Sequence, residues 1–312
     1  MFSQQTPRKG NILGDFSQHH KTFKCKALRQ VSMEENGIPT VTIIGTCRVH
    51  HTFRAIEKEG LVRINNGGLD SFVHTTPEIL LRLAVMQRKV KYDESLIRLQ
   101  VGESKSQILE PVAAFNFSES DAIVIEVSSI KTLSVGSNPL QLNEVIRHLC
   151  TPYEAFGKEL QHNINLTFNK RLVKVPTPVL PQPIEFSEKY AGLLDKLEGH
   201  VQTEEAITAD LEQLLSLSGL PVMFVNHINL HGENGELITS RNKLCGFVNK
   251  FGKNNQALVF NPSELINDFS QEELLMNEGK DLNHYAKNIL KEVGRKQLSA
   301  LQSALRYINS SI

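Results

Sequence analysis

The chain lacks any stretch approaching the ~18–20 consecutive apolar residues that a membrane helix needs. Its first twenty residues, MFSQQTPRKGNILGDFSQHH, contain no apolar core flanked by basic residues, so no secretory leader is expected. Cysteine is scarce: Cys25, Cys47, Cys150 and Cys245 are scattered, and no CxxC pair occurs. That argues against a zinc ribbon or a dithiol redox site and fits reduced thiols in a cytoplasm. Excess charge is also missing, with Lys+Arg and Asp+Glu at 34 each. A protein whose main work is neutralising nucleic-acid phosphates is therefore not indicated. Neither GxGxxG nor GxxxxGK[ST] is present, so no nucleotide loop is signalled. His50, His51, His227 and His231 match no metal-ligand spacing, and no metal is expected.

What is present is a series of short apolar runs separated by helix-like stretches. Residues 1–39 are polar and are read as an N-terminal extension to a single domain over 40–312. Thr40–Ile44 is β-branched and continuous, as a strand buried on both faces requires. Residues 61–64, 121–127, 221–225 and 257–260 are further strand candidates. Helical patterns lie at 48–59, from Thr75 or Thr76 with Pro77 in the first turn, and at 283–308, where Tyr285, Ile289, Leu290, Val293, Leu298, Leu301 and Leu305 make an apolar stripe. Residues 137–218 show little strand signal and read as a helical insertion, crossed by an extended Pro-rich loop at 175–183. The alternation predicts an α/β fold: a three-layer α/β/α, flavodoxin-like arrangement around a mostly parallel sheet of about five strands.

In such sheets ligands bind beyond the carboxyl ends of the strands. The residues there are Gly45-Thr46-Cys47-Arg48, Ser128-Ser129, Asn226-His227 and Asn261, predicted to converge on one rim. Cys47 follows a buried strand and a glycine and starts the next helix. The helix dipole and unpaired N–H groups favour a thiolate there, and Arg48 adds positive potential. Its own N–H can help hold an oxyanion. A cysteine in this position is as often an inert thiol packed beneath the helix. The late block Asp281-Leu-Asn-His284 shifts the balance, because a carboxylate three residues before an imidazole can fix its tautomer while the other ring nitrogen serves a nucleophile. Lys131 and Arg241 are candidates for binding a substrate phosphate or carboxylate, against the alternative of solvated surface charge.

Taken in order, these blocks resemble the SGNH/GDSL hydrolase superfamily. Its nucleophile lies in a Gly-Asp-Ser block right after the first strand, and its Asp-x-x-His block precedes the C-terminal helix. Gly45-Thr46-Cys47 resembles the first block with Cys in place of Ser, and Asp281–His284 resembles the last. Residues 121–129 resemble the strand and turn of the Gly-x-Asn-Asp block, and Asn65-Asn66-Gly67-Gly68 is a loose counterpart of the family's Gly loop. Gly45-Thr-Cys-Arg-Val49 is similar to cysteine-bearing branches of bacterial polysaccharide and capsule biosynthesis that handle acyl groups. The resemblance implies an acyltransferase or esterase with a Cys47–His284–Asp281 triad, acting on an ester or thioester, with a small molecule or glycan hydroxyl as acceptor. No cofactor is required, and an acyl-CoA or carrier-bound donor is compatible with thiolate exchange. The chain has Ser128-Ser129 where the superfamily carries Gly-x-Asn-Asp. That leaves Ser128, Ser129 and Asn226 as oxyanion donors, with Arg48, His227, Lys131 and Arg241 around the substrate. The other reading is a catalytically silent module that binds a carbohydrate or protein partner, and the missing Asn favours it.

Overall fold

The computed structural model describes residues 37–67, 69, 71–102, 116–190 and 192–310. The N-terminal extension up to residue 36, with Cys25, and Gly68 lie outside the described residues. The central sheet has five parallel strands: β1 Thr40–Ile44, β2 Arg63–Ile64, β3 Ala122–Glu126, β7 Val222–Val225 and β8 Leu258–Phe260, in the order β2-β1-β3-β7-β8. This is the flavodoxin-like order, in which β1 and β3 flank the switch point where ligands bind.

The central strands β1, β3 and β7 are almost wholly buried and mostly apolar because both faces of the sheet are covered. Ile44, Ile123, Ile125, Val222 and Phe224 face one core with helices α2 Thr76–Met86, α4 Glu204–Ser218 and α5 Thr239–Asn255. Val41, Ile43, Ala122, Val124, Met223 and Val225 face the other, with α1 Cys47–Glu57 and α6 Leu290–Ser310. Burying Phe53 or Ile56 of α1 stabilises the layer by roughly 1.5–3 kcal/mol each. The predicted stripe of the last helix is met by Leu298, Leu301 and Leu305, which pack on that same core. Helices α1 and α6 approach closely at Gly294, where a Cβ would lie 2.5 Å from the Thr52 carbonyl oxygen.

The region expected to be a helical insertion is mixed. A second sheet, antiparallel, joins β4 Lys131–Val135, β5 Asn138–Leu140 and β6 Leu197–Val201 in the order β5-β4-β6. It shares a separate hydrophobic core with α3 Glu154–Lys170 and the short helix Ile184–Tyr190. Gly136, at φ 60°, and Ser137 turn β4 into β5 as a two-residue hairpin. Helix α4, by contrast, belongs to the main sheet.

The Asp281–His284 block also departs from expectation. His284 lies not in the last helix, expected from residue 283, but with Asp281 in a strand, β10 Asp281–Tyr285, paired antiparallel with β9 Leu275–Met276. Asn277, Glu278 and Gly279 all take positive φ in the turn between them, and α6 begins only at Leu290.

Candidate active site

The turn from β1 into α1 is built on one buried carboxylate. Gly45 has no room for a side chain: a Cβ would lie 2.7 Å from Glu126 Cβ and 2.9 Å from Val49 Cγ2. Glu126 ends β3 beside it and is 0% exposed. Its Oε2 accepts from Thr46 N at 3.0 Å and from Thr46 Oγ1, and its Oε1 accepts from Arg48 Nε at 2.5 Å. Thr46 is the N-cap of α1 but makes no side-chain cap bond, since its hydroxyl serves Glu126 instead. Arg48 is 7% exposed, so both charges are desolvated, and the arrangement holds only because each is paired and further hydrogen-bonded.

Two arginines hold strand β10, and one of them, Arg48, ties it to this turn. Arg48 Nη1 donates to Asn283 O at 3.1 Å. Arg241 Nη1 donates to Ile228 O at 3.0 Å and Leu282 O at 2.9 Å, and its Nη2 donates to Asn283 Oδ1 at 2.8 Å. On the strand so held, Asp281 Oδ1 accepts from Asn283 N and Oδ2 lies 2.8 Å from His284 Nδ1. That leaves His284 Nε2 for a reacting group. His284 also lies close enough to His51 to help burial lower its pKa. His51 is one helical turn beyond Cys47, so the two share a flank of α1. The Asp281/His284 pair thus borders the flank of α1 that carries Cys47.

Electrostatics revise the expectation of a standing thiolate. Burial raises the Cys47 thiol above its ordinary value, and Glu126 adds to this. Arg48 and the backbone N–H groups of Cys47 and Arg48 pull it down without cancelling the burial. The helix start does act on the sulfur as predicted, but desolvation is larger. At Cys150 burial acts unopposed and pushes the thiol up to about 12. Burial alone would raise Asp281, but hydrogen bonds from His284 and from the Asn283 N–H outweigh it and hold the carboxyl below its usual range.

The other rim residues fall into place less simply. The Ser128 and Ser129 amides both donate to His74 O, at 2.9 and 3.0 Å, so neither is free for an oxyanion. Ser128 Oγ lies 3.1 Å from His74 Nδ1, and Ser129 Oγ accepts from Lys131 N. Asn226 is fully buried, and one hydrogen of its Nδ2 is taken by Asn249 Oδ1 at 2.8 Å. Lys131 sits in the smaller sheet with its ammonium over the Phe168 ring, and Arg241 is held by two backbone carbonyls and the Asn283 side-chain oxygen. His227 is buried, with Nδ1 2.8 Å from Ile228 O; burial, Arg48 and Arg241 keep its pKa well below the ordinary value. The donors left facing the Cys47 sulfur are the N–H groups of Cys47 and Arg48, in the first turn of α1.

Two further charged or titratable residues, Glu126 and His74, border the site. Glu126 was visible as the one charge in the apolar run AIVIE of β3. His74, which burial holds down to about 4, feels both Glu126 and Arg48 at the rim. Its N–H donates to Glu78 Oε2, and Thr75 Oγ1 donates to Glu78 Oε1; burial raises that carboxyl to about 7. Only its position in the fold distinguishes His74. Among the described residues, no group of three or more His, Cys, Asp or Glu side chains is arranged to hold a metal ion. No helix among them is long and apolar enough to cross a membrane.

The family described as TviD N-terminal domain matches residues 39–300. The chain belongs to the TviD N-terminal domain family. The matched span includes β1 through β10 and most of α6, and therefore every site residue described above. Vi polysaccharide biosynthesis protein TviD of Salmonella typhi is 25% identical over 262 residues, which cover 81% of this chain and 30% of that protein. The chain therefore corresponds to less than a third of that relative. Among solved structures, the acetyl xylan esterase AlAXEase aligns over 84% of this chain and 98% of its own, at 9% identity and a TM-score of 0.34. Another crystal structure aligns over 86% and 99%, at 10% identity and 0.35. Both likenesses are too slight to support an argument about fold or activity.

Proposed function

We propose that this domain is an acyl-transfer enzyme in polysaccharide biosynthesis, with Cys47 as nucleophile, His284 as general base and acid, and Asp281 as the group that orients His284. The observation that carries the reading is the Asp281–His284 hydrogen bond, held on a strand that Arg48 and Arg241 fasten beside the helix start bearing Cys47. Because burial keeps Cys47 a thiol, its activation is assigned to proton transfer and not to a standing thiolate. In the first step the Cys47 proton passes to His284 Nε2 and Sγ attacks the carbonyl carbon of an ester or thioester. The carbonyl oxygen takes the electron pair and faces the N–H groups of Cys47 and Arg48. Collapse expels the alcohol or thiol, which leaves with the proton from His284, and a thioester remains on Cys47. In the second step a glycan hydroxyl gives its proton to His284 and attacks that thioester. Cys47 departs and recovers the proton. Water in place of the glycan gives hydrolysis.

The test is to incubate the protein with p-nitrophenyl acetate, quench in acid and map the acetyl group by peptide mass. One acetyl on the Cys47 peptide is expected, absent in Cys47→Ala and formed on the order of 10²–10⁴-fold more slowly in His284→Ala. An unchanged rate in either variant overturns the reading. The binding-module alternative, favoured by the occupied Ser128 and Ser129 amides, predicts no acetyl-enzyme at all.

A further inference from the structure

We infer that Arg48 is a positioning residue that couples the nucleophile turn to the base strand, with Glu126 as its anchor; this rests on the acyl-transfer reading. Three residues that flank the proposed chemistry meet on one ion pair. Thr46, just before Cys47, gives both its N–H and its hydroxyl to Glu126 Oε2. Arg48, just after Cys47, gives Nε to Glu126 Oε1. The same guanidinium gives Nη1 to the carbonyl of Asn283, just before His284. A guanidinium is planar and rigid, so bonds from Nε and Nη1 to two different elements set the distance between them. A lysine, as a single point charge, can satisfy one partner only. Arg241 also grips β10, through Leu282 O and Asn283 Oδ1, but its hydrogen bonds do not reach the nucleophile turn and it cannot replace Arg48. Both Arg48 bonds are internal and only 7% of the residue is exposed, as a positioning role requires.

A structural ion pair and a positioning pair make different predictions. The rate of Cys47 acetylation by p-nitrophenyl acetate is measured against pH, together with thermal unfolding, in Arg48→Met, Arg48→Lys and the double variant Arg48→Met/Glu126→Gln. Arg48→Met strands a buried carboxylate and is expected to lower the unfolding temperature. The double variant removes both charges and is expected to recover most of that loss, so it reports even if Arg48→Met fails to fold. Acetylation is expected to stay down on the order of 10²-fold in all three, because each breaks the bridge to Asn283. Adding His284→Ala to the double variant is expected to cost little more, since His284 is already displaced. If acetylation returns with stability in the double variant, Arg48 is merely structural and the inference falls while the acyl-transfer reading stands. If His284→Ala leaves the wild-type rate unchanged, the reading itself falls and the inference with it.

Discussion

The two halves of the site are held in opposite ways. The turn that presents Cys47 grows out of the sheet: Ile44 and Glu126 end adjacent parallel strands, Gly45 is wedged against both Glu126 and Val49, and the charged groups are desolvated. The strand that carries Asp281 and His284 belongs to a two-stranded ribbon outside that sheet, and its pair is half in solvent, with His284 49% and Asp281 20% exposed. One half is fixed by burial and the other by two guanidiniums that reach across to it. A substitution in the first half should therefore act on stability as well as reactivity, and one in the second on reactivity almost alone.

Four substitutions can break this contrast, taken in order of their effect on stability. Glu126→Ala leaves Arg48 buried and unpaired and should cost about 3–5 kcal/mol in urea unfolding; a loss below ~1 kcal/mol would mean that the turn does not depend on the carboxylate. Glu78, whose folded pKa is raised from 4.5 to about 7, contributes stability that is complete below its unfolded pKa and is lost as pH rises through about 7. Glu78→Gln should remove that loss, so that from pH 5 to pH 8 the variant gains up to about 3 kcal/mol on wild type, at ~1.36 kcal/mol per unit. Parallel curves for the two proteins would show the carboxyl to be ordinary. Gly45→Ala should cost about 1–3 kcal/mol through overpacking against Glu126 and Val49, and a neutral result would show the turn to be adjustable. Asp281→Asn sits at the other extreme. An exposed pair contributes under ~1 kcal/mol, so its melting curve should barely move, while acetylation of Cys47 falls on the order of 10³–10⁴-fold. The small stability share of Asp281 should be present above its ordinary pKa and vanish as pH falls through its lowered folded value.

Much of the first half was legible in the chain. The TVTII run of β1 followed by Gly-Thr-Cys marks a buried strand and a helix start, and Pro77 marks the start of α2. The same reading put Cys47 at the rim beyond the carboxyl ends of the strands and paired it with the late Asp281/His284 block. Three things were not legible, each because it depends on distance across the fold. The thiolate expected at Cys47 rested on local helix chemistry, whereas burial is set by neighbours far away in sequence. The Ser128 and Ser129 amides looked available because nothing nearby in sequence competes for them; the acceptor is His74 O, 54 residues away from Ser128. The strand character of β10 depends on pairing with β9 through three consecutive residues of positive φ, two of them not glycine. The lone Glu126 in β3 and the Gly136-Ser137 turn are, by contrast, visible in the chain as a charge in an apolar run and a Gly-Ser pair.

The central claim is that Cys47 and His284 act as one unit, and the rate of Cys47 alkylation by iodoacetamide as a function of pH tests it most directly. With His284 present to take the proton, Cys47 should react ahead of Cys150 and well into the neutral range. In His284→Ala the half-buried Cys47 thiol should react only at the higher pH that its raised pKa requires. Superimposable profiles for the two proteins, or a Cys47 no faster than Cys150, would contradict the account.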